Sequence, residues 1–250
     1  MGNWSTLKDH KANKWLFFNQ LLNQHNLCEL CLQPSGQNLF LCPACYQDLP
    51  FNNIACSQCA EPLNTTSDTP LRCGRCQASP PAYDYTIGQF LYRPAISIWI
   101  QKMKDKRQLL WGHQLARLML QSPPAVVSQI DALTYIPSSG WRLFRRGFNP
   151  AGLLAEQLAR QLNIPLLHHA LHKSGQHDQR RLNRSQRQKN LQRGLRPGSL
   201  QLTGQHILII DDVMTTGATL NAAAQALKQQ GAAMVGGWIL ARTPAPDFRF

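Results

Sequence analysis

The chain has 250 residues, enough for a medium-sized domain and a small one, and 43% of them are hydrophobic, which excludes a disordered protein. Its formal net charge is +13, because 26 Lys and Arg residues face 13 Asp and Glu residues. This charge favours nucleic acid, nucleotides, phosphorylated sugars or anionic lipid as partners, although solubility alone would also explain it. No stretch approaches the roughly 18 apolar residues of a membrane span, and Met1–Ser5 lacks a signal-peptide pattern, so a cytoplasmic protein is predicted.

The first 26 residues are predicted to form one amphipathic helix. Apolar side chains recur there at roughly helical spacing in a polar segment without further glycine after Gly2. They are Trp4, Leu7, Trp15, Phe17, Phe18, Leu21 and Leu22. We interpret this stripe as a packing surface, since aromatic stripes of this kind usually lie in a core.

All eight cysteines of the chain follow as four pairs with identical spacing. The pairs are Cys28/Cys31, Cys42/Cys45, Cys56/Cys59 and Cys73/Cys76. Two thiolates three residues apart can reach one ion, and two such pairs complete a tetrahedral shell of four sulfurs. The spacing therefore predicts two structural Zn²⁺ sites in a small double zinc ribbon over residues 27–81. The alternative is a disulfide framework, which is typical of exported chains.

Spacing alone leaves the pairing of the cysteines open. The pairs could combine sequentially, so that the four cysteines from Cys28 to Cys45 hold one ion and the four from Cys56 to Cys76 hold the other. Alternatively, alternate pairs could combine in a cross-braced arrangement. With four sulfurs on each ion, neither arrangement leaves a coordination position for substrate. The sites are therefore predicted to stabilise a segment too short for a large core of its own.

After the linker Ser79–Pro81, strands and helices are predicted to alternate over residues 82–250. The predicted elements are a strand over 85–92, helices over 94–103 and 109–120, a strand over 131–136, a basic turn over 141–150, a helix over 151–162 and a strand over 207–210. Such alternation indicates an α/β domain with a mainly parallel sheet flanked by helices. Ligands of these sheets bind beyond the carboxyl ends of the strands.

A strongly basic segment lies between residues 179 and 196. From Gln179 to Ile210 the chain has no acid, whereas Arg and Lys accumulate. The segment could be a solvated loop, or an arm that closes over a polyphosphate or follows a nucleic-acid backbone. It has no aromatic residue for base stacking, which argues against a groove that binds single strands by itself.

Two adjacent carboxylates, Asp211 and Asp212, end the apolar run His206–Ile210 and precede a loop of small and hydroxyl residues. Backbone N–H groups of Thr215–Thr219, together with the N-terminus of the helix that begins near Gly217, predict a phosphate cradle. The carboxylates lie at the distance where a phosphorylated ribose presents its hydroxyls, and Mg²⁺ could bridge hydroxyls and pyrophosphate. The alternative is an ordinary strand–turn–helix with a capped helix N-terminus. Such a cap needs one side chain and does not explain two acids and three threonines.

Five segments resemble the ComF family of competence-related proteins, which includes GntX. They are the cysteine ribbon, Ile100–Lys104, Arg145–Asn149, the spaced Gln179, Arg187 and Asn190, and Asp211–Thr219. The last segment also resembles the phosphoribosyl-diphosphate (PRPP) motif of type I phosphoribosyltransferases. The resemblance implies a phosphoribosyltransferase-like fold after the double zinc ribbon. Where the family has Gln after Asn149, this chain has Pro150.

The resemblance also implies roles for individual residues. Asp211 and Asp212 would be the catalytic pair and hold the ribose hydroxyls. The residues implied for the 5′-phosphate are Thr215, Thr216, Gly217, Ala218 and Thr219. Those implied for the pyrophosphate are Pro137, Ser138, Ser139 and Gly140 with Arg145 and Arg146, together with Lys104.

Two functions remain open on the sequence. One is a module for DNA uptake or utilisation that handles single-stranded DNA or nucleotides, with partners in the uptake machinery. This role follows from the resemblance and agrees with the basic charge. The other is a Mg²⁺-dependent phosphoribosyltransferase acting on a base or a nucleotide-related acceptor. No residue pattern identifies that acceptor.

Overall fold

The computed structural model describes residues 27–35, 39–65, 71–105, 108–173, 194–246 and 248. They belong to two compact units, Met1–Leu49 and Pro50–Phe250. The helix predicted over residues 1–26 and all but residues 194–196 of the basic segment lie outside the described residues.

The first unit is built from tight turns around its cysteines. Leu27 and Pro34 form an isolated antiparallel bridge, and the Cys28 N–H donates to the Gln33 carbonyl at 2.7 Å. The short helix α1 (Pro43–Gln47) begins after Cys42, whose Sγ accepts the Cys45 N–H at 3.5 Å. Proline at the first helical position suits this start, because its missing N–H would have no helical partner there.

The second unit is an α/β structure around a four-stranded sheet. In chain order its elements are α2 (Gly74–Ala78), β1 (Tyr85–Leu91), α3 (Ile96–Asp105), α4 (Leu109–Met119), a 3₁₀ turn (Ala125–Gln129), β2 (Ala132–Tyr135), α5 (Gly140–Arg146), α6 (Pro150–Leu162), β3 (Leu171–Lys173), β4 (Leu195–Pro197), β5 (His206–Met214), α7 (Ala218–Gln229) and β6 (Met234–Arg242). The sheet order is β1-β6-β5-β2, and all three pairings are parallel. The predicted parallel α/β fold is confirmed.

Apolar runs place β5 and β6 at the centre of the sheet. Ile207–Ile210 is fully buried, as is nearly all of β6, which is typical of parallel strands covered on both faces. Ile207 and Ile209 share a cluster with Leu220 and Leu227 of α7. Helix α6 packs on β2 and β5 and also contacts α4. The carboxyl ends of β2 and β5 therefore meet at one edge of a rigid scaffold.

Three of the differences between the structure and the predicted elements concern the surroundings of Asp211 and Asp212. β5 continues through both aspartates to Met214, because Asp211 pairs with Ile239 and Val213 with Ala241 of β6. The predicted basic turn contains helix α5, which ends at Gly147 with φ of 81°, a conformation that glycine adopts without strain. β6 has no counterpart among the predicted elements, since its two glycines interrupt the apolar pattern.

Two further strands bracket residues 174–193. β3 pairs antiparallel with β4, with Leu171 opposite Pro197 and Lys173 opposite Leu195. Helix α7 packs against both strands. Within the described part of the chain, no helix has both the length and the apolar character needed to cross a membrane.

Candidate functional site

The two adjacent carboxylates lie near the carboxyl end of β5. Asp212 is buried, and its backbone N–H donates to Asp211 Oδ1 at 2.9 Å. Lys104 Nζ at the end of α3 forms an ion pair with Asp212 Oδ2. Burial raises the pKa of Asp211 well above its usual range, and the neighbouring Asp212 raises it further, while Lys104 opposes both effects. Such a buried pair of like charges, held on one strand of the sheet, is typical of a ligand site.

We expect Asp211→Asn to raise the free energy of unfolding of the ligand-free protein at neutral pH by about 0.5–2 kcal/mol, the usual range for single stabilising replacements. Folding raises the pKa of Asp211, so the folded state binds this proton more tightly than the unfolded chain does. The carboxyl group therefore costs stability as the pH rises from its unfolded pKa near 3.8 through its folded pKa. Urea unfolding of wild type and variant across a pH series measures this difference.

The gain from Asp211→Asn should vanish below the unfolded pKa and reach its full size above the folded pKa. Asp48→Asn, at an exposed position of the first unit, is the matched control and should change the free energy of unfolding by no more than about 0.5 kcal/mol, as is usual for surface replacements. A difference between wild type and Asp211→Asn that stays constant over the whole pH series would contradict the assignment.

A cavity of about 210 Å³ opens beside the carboxylates. Four of its lining residues are cationic, namely Lys104, Arg142, Arg146 and Lys173. Asp211, Asp212, Val213 and Thr219 form the side nearest β5, and Ile136, Pro137, Ser138, Asn149, Pro150 and Ala151 complete it. Four cations around two carboxylates leave a positive balance, which suits a ligand that carries several negative charges.

Three elements supply the four cations of the cavity, and Lys104 lies on α3. Arg142 and Arg146 are four residues apart on α5, hence on one helical face. Arg146 also pairs with Asp105 at 3.5 Å, next to Lys104. Lys173 is supplied by β3, and burial lowers its pKa, as does Arg142, whereas Asp211 opposes the shift. The α6 cap fixes the neighbouring wall, because Asn149 accepts the Ala151 N–H at 3.1 Å and donates to the Ile136 carbonyl at 2.9 Å.

A second, smaller cavity of about 40 Å³ lies in the turn between β5 and α7. We call this turn, Thr215–Thr219, the phosphate loop after its predicted role. Gly217 caps α7 with φ of 79°, and a Cβ there would lie 2.6 Å from Met214 Cε and 2.8 Å from the Tyr83 hydroxyl. Only glycine therefore fits at this position. Helix α7 directs its positive N-terminal end at this cavity, which suits a single anionic group.

The phosphate loop is held from behind by Arg242, the last residue of β6. Its guanidinium is fully buried and donates to the carbonyls of Met214 and Thr215, the former at 3.2 Å. Its Nε donates to the Cys59 carbonyl at 3.1 Å, and its other terminal nitrogen pairs with Glu61. The loop backbone is thus joined to the turn that carries Cys59.

Most of the residues predicted for the site come together. Asp211, Asp212, Pro137, Ser138, Arg146 and Lys104 line the larger cavity, and Thr215–Thr219 line the smaller one. Arg145 is exposed, and neither it nor Ser139 and Gly140 belongs to the lining. Arg142 and Lys173 were not predicted. If residues 140–146 had been predicted as a helix, Arg142 would have been expected on the same face as Arg146. No local sequence pattern indicates that Lys173 belongs to the site.

The cysteines form two groups, the first cluster (Cys28, Cys31, Cys42 and Cys45) and the second cluster (Cys56, Cys59, Cys73 and Cys76). Pairing is therefore sequential. The ligand atoms of each group lie within 4.8 Å of one another, and two sulfur pairs are 3.7 and 3.6 Å apart. Sulfurs at about 2.3 Å from a tetrahedral Zn²⁺ are about 3.8 Å apart, so both groups fit this ion.

Backbone donors favour the thiolate of Cys56 in the second cluster. The N–H groups of Cys73 and Cys59 approach Cys56 Sγ at 3.2 and 3.5 Å. Burial raises the pKa of the Cys56 thiol, but these donors outweigh that effect and lower the pKa to about 7. Since the thiolate is the metal ligand, this arrangement suits a structural metal site.

Comparison with known proteins agrees with this geometry. Residues 145–248 match the model of the phosphoribosyl transferase domain. The DNA utilization protein YhgH of Salmonella typhi is 31% identical over 230 residues, and that of Escherichia coli K12 is 32% identical over 237 residues. Each alignment covers 89% of this chain and 100% of the relative. Competence protein F of Haemophilus influenzae is 29% identical over 220 residues, covering 81% and 90% of the two chains. The chain therefore belongs to the ComF/GntX family of competence-related proteins, which contain a phosphoribosyltransferase domain.

Proposed function

We propose that the protein binds PRPP or a similar ribose phosphate and uses this domain to handle single-stranded DNA or nucleotides in DNA utilization. The observation that carries the first part is the continuity of the two cavities, because Asp211, Val213 and Thr219 line both of them. One ligand can therefore present a phosphate to the phosphate loop, hydroxyls to the carboxylates and further charge to the cations.

The chemistry of each wall supports a role for its residues. Asp211 and Asp212 accept hydrogen bonds from the ribose hydroxyls. The N–H groups of the phosphate loop donate to the 5′-phosphate. Lys104, Arg142, Arg146 and Lys173 neutralise the pyrophosphate, and Arg146 is the one predicted arginine that lines this wall. Lys104 also forms an ion pair with Asp212, so the cationic wall and the carboxylates are in direct contact.

The donor atoms of this site also fit Mg²⁺. Carboxylate oxygens are ligands this cation accepts, and it is usually held by one or two carboxylates together with substrate phosphates. Asp211 and Asp212 would hold it, and it would supply positive charge that offsets the charge of the pyrophosphate. We further propose that the ion in both cysteine clusters is Zn²⁺, in a structural role.

The second part of the proposal rests on the relatives and on charge. Relatives that match nearly the whole chain bear the names DNA utilization protein and Competence protein F. The net charge of +13 supplies the electrostatic attraction that nucleic-acid binding requires. A nucleic-acid role predicts that the protein binds single-stranded DNA and that the affinity falls steeply with salt concentration. The protein would then act in the cytoplasm together with proteins of the DNA-uptake machinery.

We expect the double replacement Asp211→Asn, Asp212→Asn to weaken PRPP binding by about a hundredfold or more. Each replacement of a carboxylate by an amide removes one charge-assisted hydrogen bond to a ribose hydroxyl. Such bonds contribute about 1.5–3 kcal/mol each. Isothermal titration of the zinc-replete protein with PRPP, with and without Mg²⁺, measures the change.

Asp48→Asn should bind PRPP like the wild type. Equal PRPP binding by wild type and the double variant would contradict the assigned pocket, and absence of binding to the wild type would overturn the ribose-phosphate proposal. Pyrophosphate release from PRPP in the presence of a base or nucleotide acceptor would assign the alternative, a catalytic transferase with Asp211 and Asp212 as its catalytic pair.

A further inference from the structure

Helix α5 presents two stacked aromatic side chains to solvent. Trp141 is 67% exposed and Phe144 is 82% exposed, while no residue of this seven-residue helix is buried. Their ring centroids are 6.3 Å apart and their planes differ by 27°. The other tryptophans described in the sheet and on α3, Trp238 and Trp99, are fully buried. A pair of large exposed rings needs a reason other than packing within this unit.

The same helix divides its charged and aromatic side chains between two faces. Arg142 and Arg146 line the ligand cavity, as described above. Trp141, Phe144 and Arg145 recur at spacings of three and four residues, so they share the other side of the helix. The two rings and Arg145 are exposed. We call Trp141, Phe144 and Arg145 the stacking surface, which lies next to the mouth of the cavity.

We infer that the stacking surface binds the bases of single-stranded nucleic acid. This inference rests on the proposed function and identifies where the strand lies. Exposed aromatic rings stack on bases of any sequence, while arginines beside them neutralise the backbone phosphates. A duplex keeps its bases stacked on one another and offers no free base face to the rings. The rings therefore favour single-stranded over double-stranded nucleic acid, and Arg145 complements the negative charge of its backbone. We expect no base-sequence specificity from this surface.

The stacking surface carries the aromatic groups that the basic residues 174–193 lack. Residues 174–193 contain five arginines and one lysine but no aromatic residue, so they lack stacking groups of their own. β3 and β4 bracket that segment, and Lys173 at the end of β3 lines the same cavity as Arg142. Phosphate attraction from the cavity side and base stacking from α5 are thus available on neighbouring surfaces.

The test compares three variants in binding a fluorescent oligothymidine of about 16 nucleotides, the upper end of common site sizes. Trp141→Ala with Phe144→Ala should weaken binding by about tenfold or more, since stacking contributes that much per base. Trp141→Phe with Phe144→Tyr keeps both rings and should stay within about twofold of wild type. Met234→Ala removes an exposed apolar side chain of β6 and should change nothing.

Salt dependence separates stacking from charge. The double alanine variant should keep the wild-type slope of log affinity against log salt. Arg145→Ala should reduce that slope by about 0.7, because the variant neutralises one backbone phosphate fewer than the wild type. Circular dichroism should show that every variant is folded, as expected for exposed positions. Fluorescence anisotropy at several salt concentrations gives all of the binding values.

The outcomes distinguish this inference from the proposed function. PRPP titration should be unaffected by the double alanine variant, since neither ring lines the cavity. Failure of the wild type to bind PRPP, with loss of strand binding in the alanine variant, would overturn the ribose-phosphate proposal and leave the stacking surface intact. If the double alanine variant binds the oligothymidine like the wild type, the stacking surface is wrong and the rings would be assigned to a protein partner. A preference of the wild type for duplex over single-stranded DNA would also overturn the stacking surface.

Discussion

Replacing Cys59 with serine is expected to remove one zinc ion per chain and to lower the free energy of unfolding of the second unit by more than about 5 kcal/mol. Structural zinc sites contribute about 10–16 kcal/mol in small zinc-binding segments, and loss of one thiolate forfeits much of that. The second cluster is part of the same compact unit as the sheet. Its loss should therefore affect the whole α/β domain.

The expected consequence for the ligand site follows from the contacts of Cys59. Its carbonyl accepts a hydrogen bond from Arg242, which also holds the carbonyls of Met214 and Thr215. Without the ion, the turn around Cys59 no longer fixes Arg242, and the phosphate loop loses its support. PRPP binding should weaken together with stability, although no cysteine lines either cavity.

Cys31→Ser is the matched control, because Cys31 belongs to the first cluster in the other unit. It should also reduce zinc from two ions to one per chain by elemental analysis, but the PRPP affinity should be retained. Chemical unfolding followed by circular dichroism, with PRPP titration of each variant, completes the comparison. If the two serine variants lose PRPP affinity equally, the link from the second cluster to the phosphate loop is wrong.

Local patterns were sufficient for most of the fold and for half of the site. The apolar runs at β2 and β5 and the helical periods at α3, α4 and α6 are short-range signals, and each appears close to its predicted position. The cysteine spacing and the Asp211–Thr219 motif are also local, because one turn brings their functional groups together. The sequential pairing of the cysteine clusters had to come from the structure.

The remaining site residues depend on contacts between distant parts of the chain. Lys173 lines the cavity on β3, which pairs with β4 more than 20 residues later in the chain. A local sequence pattern does not reveal a pairing over that distance. Arg142 was missed because its helix was interpreted as a turn. Arg242 carried a signal of its own, since it follows an apolar run as Asp211 does. A charge at the end of a buried strand is costly unless it has an ion-pair or hydrogen-bond partner, so the position of Arg242 in the sequence already predicts such a partner.

Arg242→Met is expected to lower the free energy of unfolding by about 3–5 kcal/mol, the usual cost of breaking a buried ion pair by removing one partner. The replacement leaves the Glu61 carboxylate without its buried partner, although the Ala245 N–H still donates to it at 2.6 Å. It also leaves the carbonyls of Cys59, Met214 and Thr215 without this donor. Urea unfolding measures the stability, and PRPP titration measures the effect on the phosphate loop.

Two further variants separate charge from geometry in this prediction. Arg242→Lys keeps the positive charge but replaces a planar group of five N–H donors with a single ammonium, so it should recover only a small part of the loss. Glu61→Gln with Arg242→Met removes both charges and should be more stable than Arg242→Met alone, in which the buried Glu61 carboxylate keeps only the exposed Arg75, at 3.7 Å, as an ion-pair partner. PRPP affinity should stay low in all three variants, because each lacks the guanidinium that holds the carbonyls of the phosphate loop. Full recovery of stability and PRPP binding by Arg242→Lys would show that charge alone suffices and would refute the geometric role.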